Sequence, residues 1–415
     1  MSSPARTHPD RPIRVGVAGL GAVAQAVHLP LLARHDDRFE IAAVADLSAG
    51  LRDRLGERYR VPAAARHEFV AALLEQPGLD AVVLLTSGSH GGDALAALDR
   101  GLAVLCEKPL ATTVAEADRL LASPNADRLL LGYMKAYDPA VEEARRIVLE
   151  DADGLGPLRS IDVHVLHPTG ESQLAFAHLL PPPSDVDRRA IDALLAAGAS
   201  LVVQALGPAA SADHGRLYGG LLLASVVHEL AVVRAVTGET GPWSIDHVDV
   251  WPDGAWPPSV SFAGRLPSGV RASVAWHFLD RYPAYREEVR FHHRGGSVEL
   301  TFPSPYRLHQ PTILEVEVGG GETRRRTVFD SIEEAFEREL LAFAELVSAG
   351  TAPRTTIADG RTDTITCQRV AAAWARRRGI VPGGEAAKNA EPVAAATAVA
   401  GPEGAPAPPG KGPGR

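Results

Sequence analysis

Residues 13–35 read IRVGVAGLGAVAQAVHLPLLARH, and residues 39–46 read FEIAAVAD. Ile13 to Ala18 is a short β-branched apolar run, which predicts a buried strand. It leads into Gly19-x-Gly21-x-x-Ala24, and Ala22 to Ala33 then reads as a helix carrying Pro30. Each residue type has a physical reason to be there. Gly19 permits a tight turn, Gly21 lets backbone approach a pyrophosphate, and Ala24 is small enough for close helix–strand packing. Ala22 and Val23 open the helix, where free N–H groups face a phosphate. The second strand ends in Asp46, 22 residues past Ala24, where a carboxylate accepts hydrogen bonds from the adenosine ribose. These features together predict a dinucleotide site. The acid favours NAD over NADP, because a 2'-phosphate would meet like charge; Arg52 and Arg54 nearby keep NADP open.

Strands and helices go on alternating. LDAVVLLTS (79–87) is a continuous apolar strand, GGDALAALDRG (91–101) a helix, LAVLCEKP (102–109) a strand and its exit, and RLLLGYM (128–134) another strand. Unbroken apolar strands at this pitch predict an α/β fold, a doubly wound parallel Rossmann sheet. Ligands bind such sheets outside the carboxyl ends of the strands. Thr86, Ser87, Glu107, Lys108, Tyr133 and Lys135 all fall there.

Composition narrows the partners. The net charge of -9 argues against nucleic acid, which needs a basic face, and against an anionic membrane. No apolar stretch approaches the roughly 20 residues of a bilayer span, and the N-terminus has no apolar signal core. The cysteines Cys106 and Cys367 lie far apart in apolar contexts, so a reducing, cytoplasmic setting is expected and a disulfide is not. The expected organisation is a lead-in (1–11), a nucleotide-binding domain (12–140), a second domain (141–382) with an insertion at about 169–216, and a disordered tail (383–415) of Ala, Pro, Gly and Glu.

GLGAVAQAVHLP, VADLS, LLTSGSH, GLAVLCEKPLA and GYMKAYDPA occur in that order. The chain resembles the glucose-fructose oxidoreductase / inositol dehydrogenase (Gfo/Idh/MocA) family, strongly over residues 13 to about 140 and more loosely to about 380. The resemblance implies a C-terminal α+β domain with an open, mostly antiparallel sheet. It implies a nicotinamide cofactor held by Gly19, Gly21, Val23, Ala24, Asp46, Thr86, His90 and Glu107. Lys108 would face the reacting carbon of a small-molecule sugar, cyclitol or related polyol. A homodimer or homotetramer through the C-terminal sheet is expected.

The second half departs from the family pattern. RLYGGLLLASVVHELAVVRAVTG (216–238) reads as an apolar helix of about twenty residues. In the family this helix commonly reads D-x-G-x-H-x-x-D; here His228 is kept, while Ala224, Val226 and Ala231 stand at the other positions. His228 is a catalytic or substrate-binding candidate beside Lys108, Tyr133 and Lys135. The 169–216 insertion reads as a lid or interface element over the substrate side, or as a surface decoration. Downstream come about six antiparallel strands with hairpin turns at LPSG and HRGG, a helix opening at Ser331, and a closing helix ended by Gly379. No histidine spacing points to a metal. The leading expectation is an NAD(P)-dependent oxidoreductase with Lys108 as acid/base. The alternatives are a relative that uses NAD transiently for elimination, hydrolysis or isomerisation, or a non-catalytic nucleotide-binding regulator.

Overall fold

The computed structural model describes residues 11–151, 154–307 and 310–390. Most of the lead-in and residues 391–415 lie outside the described residues. Among those described, the first six strands are β1 (Ile13–Ala18), β2 (Phe39–Ala45), β3 (Arg66–His67), β4 (Ala81–Leu84), β5 (Ala103–Glu107) and β6 (Leu129–Gly132). They form one parallel sheet in the order β3-β2-β1-β4-β5-β6, the doubly wound arrangement with its switch point beside β1. Val82, Val83, Leu84, Val104 and Leu105 are wholly inaccessible to solvent. Each such side chain contributes roughly 1.5–3 kcal/mol, which explains strands with no polar face. The crossover helices include α1 (Leu29–Arg34), α2 (Ala49–Arg58), α3 (Val70–Leu74), α4 (Gly91–Asp99) and α5 (Val114–Leu121). The first helix begins with wide π-type turns over Ala24–His28 before α1, where the sequence predicts one regular helix.

After α6 (Pro139–Glu150) the chain enters β7 (Leu158–His167). The remaining strands are β8 (Ser244–Trp251), β9 (Ser259–Arg265), β10 (Arg271–Phe278), β11 (Arg286–His293), β12 (Gly296–Phe302), β13 (Ile313–Gly320) and β14 (Thr323–Phe329). With β7 they make an eight-stranded open sheet, β14-β13-β12-β11-β7-β10-β9-β8. Seven strands follow residue 243 where about six are expected, and β7 inserts between β10 and β11 as the eighth. β7 runs parallel to β10 and antiparallel to β11. Alternating burial along β10, β11 and β12 covers one face and leaves the other open.

The segment 169–215 holds α7 (Gly170–Leu174), α8 (Arg188–Leu206) and α9 (Ala212–Gly215). The apolar helix that follows has π-type turns over Arg216–Val226 and continues as α10 (Val227–Thr237). Two helices correct the expectation that no stretch reaches bilayer length. Arg188–Leu206 has mean hydropathy 1.5, and Ala212–Thr237 has 1.6. The second is largely core. The first stands off the body, with Leu194 62% and Leu195 66% exposed.

The C-terminal helices are α11 (Ala335–Ala349), α12 (Ile357–Arg377) and α13 (Gly384–Asn389). The helix expected at Ser331 starts four residues later, because Ser331 Oγ accepts from the Glu333 amide at 3.2 Å and makes a turn first. The start of the expected tail, 383–390, is folded and carries α13. Glu385 of α13 accepts from the Val114 and Ala115 amides at 2.7 and 2.9 Å and so caps α5.

Candidate active site

Three local devices build the site at the carboxyl ends of β1, β2, β4 and β5. The first is the glycine turn. Gly19 has φ +91°, and a Cβ there would lie 2.7 Å from the Leu85 carbonyl carbon; a Cβ on Gly21 would meet nothing within 4 Å. Gly19 is therefore required by packing, and Gly21 by an approach that the protein itself leaves open. Ala22 and Val23 are half exposed beside it, and Ala24 is buried. Asp46 flanks the turn. Its carboxylate accepts from the Leu20 amide at 2.8 Å and the Ser48 amide at 2.9 Å. The residues present fit a dinucleotide. Arg52 does not face outward to serve a 2'-phosphate. Its guanidinium donates to the Asp46 and Leu47 carbonyls at 2.5 and 3.1 Å.

The second device fixes the loop after β5. The His90 ring lies 2.7 Å from both the Pro109 and the Thr86 carbonyls, bracing the β5 exit against the β4 exit. Ser87 is exposed at the rim. A Thr113–Glu116 capping box then starts α5. Glu107 is buried. It meets His28 Nε2 at 3.2 Å and accepts from the Lys108 amide at 3.1 Å. Its carboxyl is held below the usual range: burial pushes it up, but the His28 hydrogen bond and the His28 and Lys108 charges outweigh that. Glu107 thus anchors the glycine-turn helix to the lysine loop.

The third device is the wide-turned helix before α10. Ala224 and Ser225 near its end and His228 in the first turn of α10 are half exposed, and Lys108 Nζ donates to the Ala224 carbonyl at 2.6 Å. The Tyr218 hydroxyl donates to the Thr112 carbonyl at 2.6 Å, tying the helix to the β5 loop. Burial lowers the Lys108 ammonium pKa, as does Lys135, while Glu107 and Glu229 oppose the shift. Burial pushes His228 well below the ordinary imidazole value, and Lys108 and Lys135 add to it. His228 is therefore neutral at pH 7. Its Nδ1 is buried and has no hydrogen-bond partner among the described residues.

Lys135 and Tyr133 take less open positions than pocket lining. Tyr133 is buried with its ring 6.4 Å from that of His228. Lys135 pairs with Glu287 and lies 3.8 Å from Glu229. Tyr285 donates to Glu287. Burial, then the Glu287 charge, pushes Glu229 up to about 8. On the sheet side His167 packs 4.9 Å from Trp276, whose indole donates to Ser225 Oγ at 3.0 Å. The sequence reading missed Glu229, Glu287, Tyr285 and His167. A glutamate inside an apolar helix, next to His228, was the one signal available; the others come from distant strands.

The insertion touches both sides: Gln173 lies 3.3 Å from His167 Nε2, and a later stretch reaches the glycine turn. Leu180 N donates to Gln25 Oε1 at 2.9 Å, and Asp185 reaches Ser48 and Gly50, so it crosses the nucleotide side.

A glycine turn, a lysine at a nearby strand exit and a histidine on the helix that the lysine touches are gathered at the carboxyl ends of a Rossmann sheet. Residues 13–131 match the GFO_IDH_MocA oxidoreductase family, NAD-binding Rossmann fold. Residues 13–131 are thus an NAD-binding Rossmann domain of the Gfo/Idh/MocA type. It is 36% identical over 157 residues to inositol 2-dehydrogenase 3 of Saccharopolyspora erythraea, covering 37% of this chain and 45% of that protein. It is 34% identical over 160 residues to inositol 2-dehydrogenase of Leifsonia xyli, covering 37% and 45%. These matches span less than half of those relatives. Aldose-aldose oxidoreductase from Caulobacter crescentus shares the fold with TM-score 0.65 and 20% identity, over 89% of this chain and 98% of that one. A 3-ketoreductase from Actinomadura kijaniata, complexed with NADP, gives 0.64 and 19% over 89% and 98%.

Proposed function

We propose that this protein is an NAD-dependent oxidoreductase acting on a hydroxyl or keto carbon of a sugar, cyclitol or related polyol. The observation that carries the reading is the bond from Lys108 Nζ to the Ala224 carbonyl, one turn before His228, on the sheet edge that also carries the open glycine turn. When bound, the nicotinamide would accept or give the hydride. Gly19, Gly21, Ala22 and Val23 would carry the pyrophosphate, Asp46 the ribose, and Thr86, Ser87 and the His90-braced loop the remaining contacts. Lys108 takes the hydroxyl proton during oxidation and returns it during reduction, which its burial-lowered pKa favours near neutral pH. Neutral His228 hydrogen-bonds the same oxygen and orients it. Glu107 positions Lys108. Lys135, with Glu229 and Glu287, forms the charged floor behind the cleft, and Tyr133 backs His228. In this reading 12–140 is the nucleotide domain, 141–382 the substrate domain, and the substrate sits between the two sheets. The open face of the second sheet supports association with further copies, and two free buried thiols, Cys106 and Cys367, suit the cytoplasm.

A second reading uses NAD transiently, with no net redox. Ala224 and Ala231 favour it, since they stand where the pattern has its acids. Purified protein with NAD or NADP and a polyol panel separates the two. Lasting NADH growth supports the dehydrogenase, and product without NADH supports transient use. Lys108→Ala cuts turnover about 100-fold or more while NAD binding holds. Near-normal turnover in that variant would sink the lysine assignment.

A further inference from the structure

The contacts of the insertion point to a role that the cofactor reading does not contain. Between His178 and Asp187 the chain runs from the glycine-turn helix to the start of α2. One end is held where the Leu180 amide donates to Gln25 Oε1 at 2.9 Å, and Gln25 itself donates to the Leu20 carbonyl at 2.8 Å. The other end is held by Asp185. Its Oδ1 accepts from Ser48 Oγ at 2.7 Å and its Oδ2 from the Gly50 amide at 2.8 Å. Ser48 is also the residue whose amide donates to Asp46 Oδ1 at 2.9 Å. Asp46 and Asp185 therefore flank one residue.

This is the place where the adenosine ribose edge would lie, since the acid ending the second strand binds the ribose 2'-hydroxyl in such folds. A 2'-phosphate would need a cation, or free donors at the start of the next helix. Here Arg52 is turned to backbone carbonyls, and Ser48 Oγ and Gly50 N are engaged by a carboxylate of the chain itself. The Ser48 and Gly50 hydrogen bonds hold Asp185 below its ordinary carboxylate range, so it is ionised at neutral pH. We propose that Asp185, carried by the strap from the insertion, is a specificity residue that closes the 2'-phosphate position and makes the protein select NAD against NADP. The proposal rests on the dinucleotide reading above. It adds that discrimination comes from two carboxylates on different segments and not from Asp46 alone. Rejection by an opposed like charge is an economical route to specificity, because it leaves contacts to the favoured ligand unchanged.

Isothermal titration of the full chain with NAD and with NADP tests it by binding, without turnover. The wild type binds NAD more tightly. In Asp185→Ser and Asp185→Ala the NADP affinity rises about tenfold or more while the NAD affinity moves by less than about threefold. Asp192→Ala, on the same insertion and paired along α8 with Arg188, leaves both affinities in place. An unchanged NADP-to-NAD ratio in both Asp185 variants overturns the proposal, as does a wild type that binds the two equally. If the wild type binds neither nucleotide, the cofactor reading itself falls.

Discussion

Replacing Lys135 with Met tests the charged floor of the cleft by stability, independently of activity. Lys135 is 5% exposed, Glu287 0% and Glu229 1%. The ammonium pairs with Glu287, lies 3.8 Å from Glu229 and sits 5.0 Å above the Phe302 ring. Neither Glu229 oxygen has a hydrogen-bond partner among the described residues. Met keeps the apolar stem and removes only the charge, so two carboxylates stay buried without their cation. Removing one partner of a buried pair costs about 3–5 kcal/mol. The pH dependence identifies the cause. Glu229 is raised to about 8, from an ordinary 4.5, by burial and Glu287, against the pull of Lys135 and Lys108. A carboxyl raised on folding costs nothing below its unfolded value, and the cost grows as pH rises toward the folded one. Without Lys135 that cost deepens, so the variant loses most at pH 8 and little near pH 5. Denaturant midpoints at both pH values measure it, and Lys135→Met/Glu287→Gln recovers part of the loss at pH 8. An equal loss at both pH values, or under about 1 kcal/mol at pH 8, would refute the electrostatic account.

Two further outcomes follow from the geometry. In the oxidation direction kcat/KM rises with pH and levels off below the ordinary lysine value of 10.5, since burial lowers Lys108 and only the neutral amine takes the proton; reduction shows the opposite slope. A profile still climbing at 10.5 would argue against Lys108 as the base. Glu385→Ala uncaps the Val114 and Ala115 amides and lowers stability by about 1–2 kcal/mol in a denaturant titration; no loss would mean that α13 is not part of the folded body.

The nucleotide half was legible because its signals are local. A glycine turn, an acid at a set spacing and unbroken apolar strands follow from backbone geometry within a few dozen residues. The second half was harder. β7 joins the second sheet through pairs more than 100 positions apart, such as Val163 with Val289 and with Val274, and no periodicity announces a partner. The tail boundary failed for the same reason. Glu385 is unremarkable in an Ala- and Gly-rich segment until α5 presents two free amides to it. The membrane-length helices are an arithmetic matter that sequence inspection passed over.

The sequence by itself determined the Rossmann frame, the place of the glycine turn and the lysine at a strand exit, since each depends on neighbouring residues. Tertiary structure decided what surrounds them. Glu229 and Glu287 come to Lys135 from a helix and a strand far away, and Asp185 reaches Ser48 across 137 positions. Electrostatics falls off with distance in space, not along the chain, so charges that set a proton affinity or a cofactor preference become readable only once the fold brings them together.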